Sequence, residues 1–534
     1  MHNFIGNEAQ QRAIKHGAGP MLVLAGPGSG KTFVITMRIQ YLIEHYSIEP
    51  SEILVVTFTR AAAKEMKQRF FSLGQESPVN FGTFHAIFYS ILKDFYHDKL
   101  DKAVIENNNF DSLTEKCYDL LIQNEVVLKK WQSIFRYIMI DEFQDINNRQ
   151  YQIIQMLALP ENNIFIVGDD DQSIYGFRGS NPNSFSCFEQ DYPNVEKIIL
   201  NINYRSTQTI VTFAEDLIRK NKNRMSKSIS AANTGGEAIG IESFETKEIQ
   251  YDELVKHLEI EKKKNQLSTL AIIFRTGHEM MFLAKKLEEK NIPYYTKEKM
   301  MSLYEHTICQ DIVAVLLFSN GEHIRKHFLR FMNKPMRYIN RNLLDEHVDL
   351  TDLAGKYDGR KEIRQYILEL KQQLLKMQNM PVYMAIHYFR QVMRYDDYIC
   401  NMPNVSEQKK AEWFRIADIL QESSKRFRNV TEWINYLKEE TKHQVQEREA
   451  ENKKENGVAL LTMHGSKGLE FETVYIPNCN EGVIPHRKAR KQEEIEEERR
   501  LFYVAVTRAR KKLVLQYITG TKDCPFFPSR FIKQ

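Results

Sequence analysis

The chain has 534 residues, of which 42% are apolar and 27% charged, with a formal net charge of +4. That length builds two or more packed domains, each with its own core, and the composition is that of globular proteins. The mildly basic balance permits a nucleic-acid partner but does not argue for one, so any such partner has to be read from motifs. The six cysteines are scattered with no C-x-x-C pair, which excludes a zinc ribbon, a Cys-ligated iron–sulfur cluster and a disulfide framework. The polar N-terminus has no apolar stretch of the signal-peptide kind, and runs such as Met21–Ala25 and Ile53–Val56 are too short to span a bilayer. A soluble, cytoplasmic protein with no membrane partner is therefore expected.

In chain order, short β-rich runs alternate with amphipathic stretches. MLVLA (21–25), ILVVTF (53–58), YIMID (137–141), NIFIVGD (163–169) and KIILNIN (197–203) form a first set. LAIIFRT (270–276), ALLTMHG (459–465), TVYIP (473–477) and KLVLQYI (512–518) form a second. Strands alternating with helices predict an α/β protein with parallel sheets. Two sets predict two such domains, split near residues 205–240. Residues 86–134 interrupt the first set and residues 321–456 the second, and both read as helical insertions. The run EEIEEERR (493–500) reads as the charged start of a helix.

The first chemical signal is AGPGSGKT (25–32), directly after a strand. Gly26, Gly28 and Gly30 let the backbone turn its N–H groups toward an anion, with Ser29 between them. The loop opens a helix whose N-terminal dipole favours phosphate. Lys31 would reach the β- and γ-phosphates and Thr32 would ligate Mg²⁺. The strict pattern has glycine where Ala25 stands. The second signal is IDEFQD (140–145), also after a strand. Asp141 would hold Mg²⁺, and Glu142 is placed to orient and deprotonate an attacking water. Arginine at a γ-phosphate accelerates phosphoryl transfer by roughly 10³–10⁵-fold. Arg205 (in NYRS) and Arg508 (in VTRAR) are the candidates.

In these blocks and their order, the chain resembles superfamily 1 helicases of the UvrD/PcrA/Rep type. The ordered motifs are NEAQQRAI (7–14), AGPGSGKT, VVTFTRAAAKEM (55–66), GTFHA (82–86), IDEFQD, VGDDDQSIYGFRGS (167–180), NYRS, TMHGSKGLEF (462–471) and EERRLFYVAVTRAR (497–510). The resemblance implies two RecA-like P-loop domains, each carrying a helical insertion. The first would comprise residues 1–85 and 135–205, with insertion 1B at 86–134. The second would comprise 206–320 and 457–534, with insertion 2B at 321–456. It also implies ATP and Mg²⁺ as cofactors, with ATP clamped between the domains. Gln10 would read the adenine edge. Tyr204 would stack on the base, with Phe33 on its other face where relatives often have arginine. Glu470 would hold the ribose, and Gln172 would sense the γ-phosphate. Arg205 and Arg508 would reach that phosphate from opposite sides.

Single-stranded DNA and its junctions with duplex are the implied partners, with 3′→5′ movement. Stacking platforms contribute roughly 1–3 kcal/mol per base. The candidates are Phe58, Phe84, His85, Tyr175, Phe177, Arg178 and His464, with Thr57, Thr59, Arg60 and Arg275 on the DNA backbone. Phe177 stands where relatives usually carry tryptophan, which predicts a weaker grip. Gly465-Ser466 replaces the usual Ser-Ala, which predicts a looser loop. Both insertions are short, which points either to a translocase that unwinds poorly alone or to a helicase that needs a protein partner. From the short stretch after the last motif, neither a nuclease domain nor a docking tail is expected. The rival readings are a translocase that strips proteins from DNA, an ATP-switched subunit of a nuclease, and an RNA helicase.

Overall fold

The computed structural model describes residues 6–74, 77–97, 110–176, 179–297, 304–403, 405, 407–439, 457–521 and 525–533. The chain forms two compact units, Met1–Arg275 with Leu461–Gln534, and Thr276–Leu460.

The first unit contains a six-stranded sheet in the order β3-β2-β4-β5-β1-β6, all parallel. Its strands are β1 (Met21–Ala25), β2 (Ile53–Thr57), β3 (Asn80–Thr83), β4 (Tyr137–Ile140), β5 (Ile164–Gly168) and β6 (Glu196–Leu200). The inner strands are buried on both faces, which is why they read as continuous apolar runs. The two-residue period divides them cleanly. Val23, Val55, Met139 and Phe165 pack with helices Glu8–Lys15 and Lys31–Tyr46. Leu24, Leu54, Ile138 and Ile166 face the other way, onto helices Phe84–Tyr96, Phe110–Gln123 and Asn148–Ala158. The described helices of the 86–134 stretch thus form a layer on the first sheet, with Ile91, Cys117 and Leu121 in its core. Residues 98–109 of that stretch lie outside the described residues.

Because the strands are parallel, their C-terminal ends share one edge. Ala25, Thr57, Ile140 and Gly168 end there, so the segments carrying chemistry all leave the sheet on one side. The expected strand 197–203 is two strands. β6 ends at Leu200, and β7 (Ile202–Thr207) leaves the sheet to pair with β8 (Ser230–Asn233).

In the same unit, β9 (Gly240–Phe244), β10 (Leu270–Phe274), β13 (Phe471–Ile476) and β14 (Ala509–Ile518) lie in the order β10-β13-β14-β9, again parallel. Phe471 pairs with Ala509, so the residues just before them, Glu470 and Arg508, start adjacent strands at one level.

The second unit is mainly helical and contains the described part of the 321–456 stretch. Its core gathers Ile312, Leu316, Phe328, Leu370, Phe389, Leu420 and Trp433. Asp311, buried there, is met by Arg330, Lys334 and the Tyr395 hydroxyl. In this unit β11 (Tyr294–Tyr295) pairs with the start of β12 (Val458–Thr462). Among the described residues, no helix is long and apolar enough to cross a membrane.

Candidate nucleotide site

The loop after β1 is fastened from several sides. The Gly26 N–H donates to Leu200 O at 3.0 Å, and the Ser29 hydroxyl donates to Gly26 O at 2.8 Å. β7 crosses the loop closely, with the Tyr204 N–H on Gly28 O at 2.9 Å. A Cβ on residue 28 would stand 2.6 Å from the Arg205 Cβ, and φ there is +66°. Only glycine meets both conditions. Gly30, at φ +86°, caps helix Lys31–Tyr46 with no side-chain hydrogen bond, so the first-turn N–H groups are left for an anion.

Gln10 completes a capping box with Asn7 and donates to Ser29 O at 2.9 Å. Asn7 in turn donates to the Tyr204 hydroxyl at 2.9 Å, and Tyr204 is 45% exposed. The two residues expected at the base are therefore linked through Asn7. Phe33 is half-buried against the first core beside Gly6.

At the end of β4, Asp141 is buried and accepts the Glu142 N–H at 3.0 Å. Glu142 adopts φ +53°, a left-handed backbone uncommon for a non-glycine residue. Its Oε1 lies 3.6 Å from the Lys31 Nζ, and its Oε2 accepts from the Gln144 amide. Burial pushes the Asp141 carboxyl upward, reinforced by Glu142. For Glu142 burial acts upward too, but Lys31, Lys467 and the Gln144 hydrogen bond outweigh it, so its carboxyl lies below the usual range. Thr32 sits in the first turn after Lys31 and bonds through its carbonyl to Thr36.

Gln172, Arg205, Glu470 and Arg508 converge on this edge. Arg508 is 2% exposed; it donates to Val504 O, Leu469 O and the Thr507 hydroxyl, and at 3.3 Å to the Gln172 Oε1. Burial and then the Arg205 charge push its pKa down to about 9, so it is still charged at neutral pH. Arg205 pairs with Glu470 at 2.6 Å. The Ser206 hydroxyl donates to Ala509 O at 2.6 Å, tying the strand of one arginine to that of the other.

Several residues at the site received no role from the sequence. Lys467 pairs with Asp145 and donates to Gln172 O at 2.9 Å. Burial, and secondarily Glu142, raise the Asp145 carboxyl to about 6 against the pull of Lys467. Lys227, with no exposed side-chain surface, sits among Asp169, Asp170 and Asp171, and Arg224 pairs with Asp171. The three carboxylates cluster tightly enough for a cation, and the Lys227 ammonium fills that role. Lys467 and Asp145 lie inside recognised blocks, a signal that was available.

The expected DNA residues divide. Tyr175, His464 and Lys467 gather, with the two rings 6.4 Å apart and the ammonium 5.1 Å from the Tyr175 ring. Phe58 is half-buried and meets Phe84 edge-on at 5.1 Å. Phe84 is 2% exposed, with Phe88 beyond it, because its helix turns that side to the sheet; its ring faces protein. His85 follows on the same helix, half-exposed. The Thr57 hydroxyl is buried and donates to Thr59 O, while Thr59 caps the helix that starts at Arg60. Arg275 forms a two-point pair with Glu498. Phe177 and Arg178 lie outside the described residues. The loop expected to be loosened by Gly465-Ser466 is a closed turn: Thr462 Oγ1 accepts the Gly465 N–H, Thr462 O the Ser466 N–H, and Met463 O the Ser466 hydroxyl.

A glycine-rich loop after β1, an Asp-Glu pair after β4, and a buried arginine and glutamine gathered at the same sheet edge have the make-up of a nucleoside-triphosphatase site. Residues 6–105 and 96–193 match the UvrD/REP helicase N-terminal domain, and residues 198–520 match the UvrD-like helicase C-terminal domain. The chain belongs to the UvrD-like helicase family. It is 31% identical to YjcD of Bacillus subtilis (strain 168), over 98% of this chain and 80% of that protein. It is 29% identical to the ATP-dependent DNA helicase PcrA of Staphylococcus aureus (strain Mu50 / ATCC 700699), over 99% of this chain and 86% of that protein.

Proposed function

We propose that the chain is an ATP-dependent DNA helicase that moves 3′→5′ along single-stranded DNA and opens duplex ahead of it, in repair, replication restart or defence against mobile elements. What supports the motor reading is one hydrogen-bonded path. It runs from Glu142 through Gln144, Asp169 and Gln172 to Arg508, with Lys31 on the outer oxygen of Glu142. In this reading residues 1–85 and 135–205 make one motor domain and 206–320 with 457–534 the other, with 86–134 and 321–456 inserted. Lys31 holds the terminal phosphates, and Arg205 and Arg508 neutralise charge as the γ-phosphoryl group leaves. Glu142 takes a proton from water as the water oxygen bonds to the γ-phosphorus. The bond from that phosphorus to the bridging oxygen breaks, releasing ADP and phosphate. Thr32 and Asp141 would hold Mg²⁺ through a hydroxyl and a carboxylate oxygen, and the buried Asp141, whose carboxyl is shifted upward by burial and Glu142, suits a cation. Bound there, Mg²⁺ would neutralise charge on the β- and γ-phosphates.

Gln10, Tyr204 and Phe33 take the adenine and Glu470 the ribose. The strand crosses Tyr175, His464 and Lys467, whose contacts with Asp145 and Gln172 join the DNA track to the phosphate site. Loss of the γ-phosphate then removes a charge that these groups share, and the grip on the strand changes. The short insertions make help from a protein partner part of this reading, and the cytoplasm its place of action. The test uses duplexes with a 3′ or a 5′ single-stranded tail and matched substrates carrying streptavidin. Strand displacement from the 3′-tailed duplex alone is expected. Displacement from 5′ tails would overturn the direction, and loss of streptavidin without unwinding would reduce the protein to a translocase.

A further inference from the structure

We propose that Gln144 is a positioning residue for hydrolysis, holding the Glu142 carboxylate in register with the loop that carries Gln172. The inference rests on the reading of Glu142 as the base. Gln144 is 1% exposed, and both ends of its amide are committed. Its Oε1 accepts the Asp169 N–H at 3.0 Å, which turns the Nε2 toward Glu142, where it donates to Oε2. Glu142 is thereby gripped on two sides, by Gln144 at Oε2 and by Lys31 at Oε1. This grip falls on a residue whose backbone is left-handed, φ +53°.

The far end of the same amide is anchored at the residue that orients Gln172. Asp169 Oδ2 accepts the Gln172 Nε2 at 2.6 Å, and its Oδ1 lies 2.8 Å from the Lys227 Nζ. One amide thus joins the residue that deprotonates water to the residue expected to sense the γ-phosphate. The seat is built for it. A Cβ on Gly168 would fall 2.3 Å from the Gln144 Oε1 and 2.8 Å from the Phe185 ring, so only glycine at the end of β5 leaves room for the amide.

The experiment compares Gln144→Leu and Gly168→Ala with the wild type and with Glu142→Gln, measuring nucleotide affinity with a non-hydrolysable ATP analogue and single-turnover hydrolysis with single-stranded DNA. Gln144→Leu removes both hydrogen bonds at nearly constant volume. Gly168→Ala crowds the amide at the Asp169 end and also meets the Phe143 backbone N at 3.0 Å, so Gln144→Leu is the cleaner probe and Gly168→Ala the supporting one. Both should bind nucleotide within about threefold of wild type and hydrolyse it about 10- to 100-fold more slowly, as loss of a hydrogen bond to a charged group does. Gln144→Met, unbranched and of similar length, is the second probe of the same loss if Gln144→Leu does not fold. Hydrolysis within threefold of wild type in the folded Gln144 variant, or binding and hydrolysis falling in parallel, would make Gln144 a packing residue and overturn the inference. Normal hydrolysis by Glu142→Gln would remove the underlying reading instead. A dead Glu142→Gln beside an active Gln144 variant would remove this inference alone.

Discussion

Replacing Lys227 by methionine should weaken the fold more than almost any other single change near the site. The ammonium lies 2.8 Å from Asp169 and 2.8 Å from Asp171 and also contacts Asp170, with no solvent access. Met fills similar volume, so little cavity forms and the deficit is electrostatic. Three buried carboxylates then keep one cation, Arg224 on Asp171, and neutral donors: the Met225 N–H on Asp170, and the Gln172 amide and Asp171 N–H on Asp169. Removing one partner of a buried ionic cluster destabilises by about 3–5 kcal/mol. At roughly 2–4 °C per kcal/mol for large domains, the melting temperature should fall by about 6–20 °C. Burial alone would lower the Lys227 pKa, but the three aspartates overcome it and raise it. Its contribution in the wild type is therefore complete below the unfolded value of about 10.4 and persists across neutral pH. In the variant the carboxylates lose their cation, so they bind protons more tightly in the folded state than in the unfolded one. The deficit should shrink as pH falls from 8 toward 5.5. Thermal melts of both proteins at the two pH values are the assay. Equal melting temperatures, or a deficit that does not change with pH, would refute the reasoning.

Arg508→Ala should lower DNA-stimulated hydrolysis by roughly 10³–10⁵-fold while nucleotide affinity changes far less; phosphate release and nucleotide titration separate the two. Tyr175→Ala should weaken binding of a single-stranded oligonucleotide by about 1–3 kcal/mol, read by fluorescence anisotropy. The same substitution should leave hydrolysis without DNA nearly unchanged.

The placement of the candidate phosphate loop was legible because it depends on local spacing. Gly28, Gly30, Lys31 and Thr32 lie within one turn, and Asp141 with Glu142 follow one strand end. The parallel sheets were legible from continuous apolar runs such as MLVLA. The Lys227 cluster was not, because nothing in a lysine's surroundings in sequence announces three aspartates more than fifty positions earlier. Phe84 illustrates a different limit. An aromatic residue beside a motif faces either solvent or sheet, and the helical register that turns Phe84 inward is set by its contacts with Phe58 and Phe88. Arg275 likewise looked free for a DNA phosphate until tertiary folding brought Glu498 to it. The break between β6 and β7 was masked because KIILNIN reads as a single β-rich run with no glycine or proline at the break. It is a tertiary event, the diversion of Ile202–Thr207 across the phosphate loop.

The central claim is that one phosphate site, read through Lys31 and linked to a DNA track, drives this protein. ATP turnover by the wild type and by Lys31→Ala, each with and without single-stranded DNA, tests it most directly. The account predicts strong stimulation of the wild type by DNA and no turnover by the variant in either condition. Turnover by Lys31→Ala at the wild-type rate, or a wild type indifferent to DNA, would contradict it.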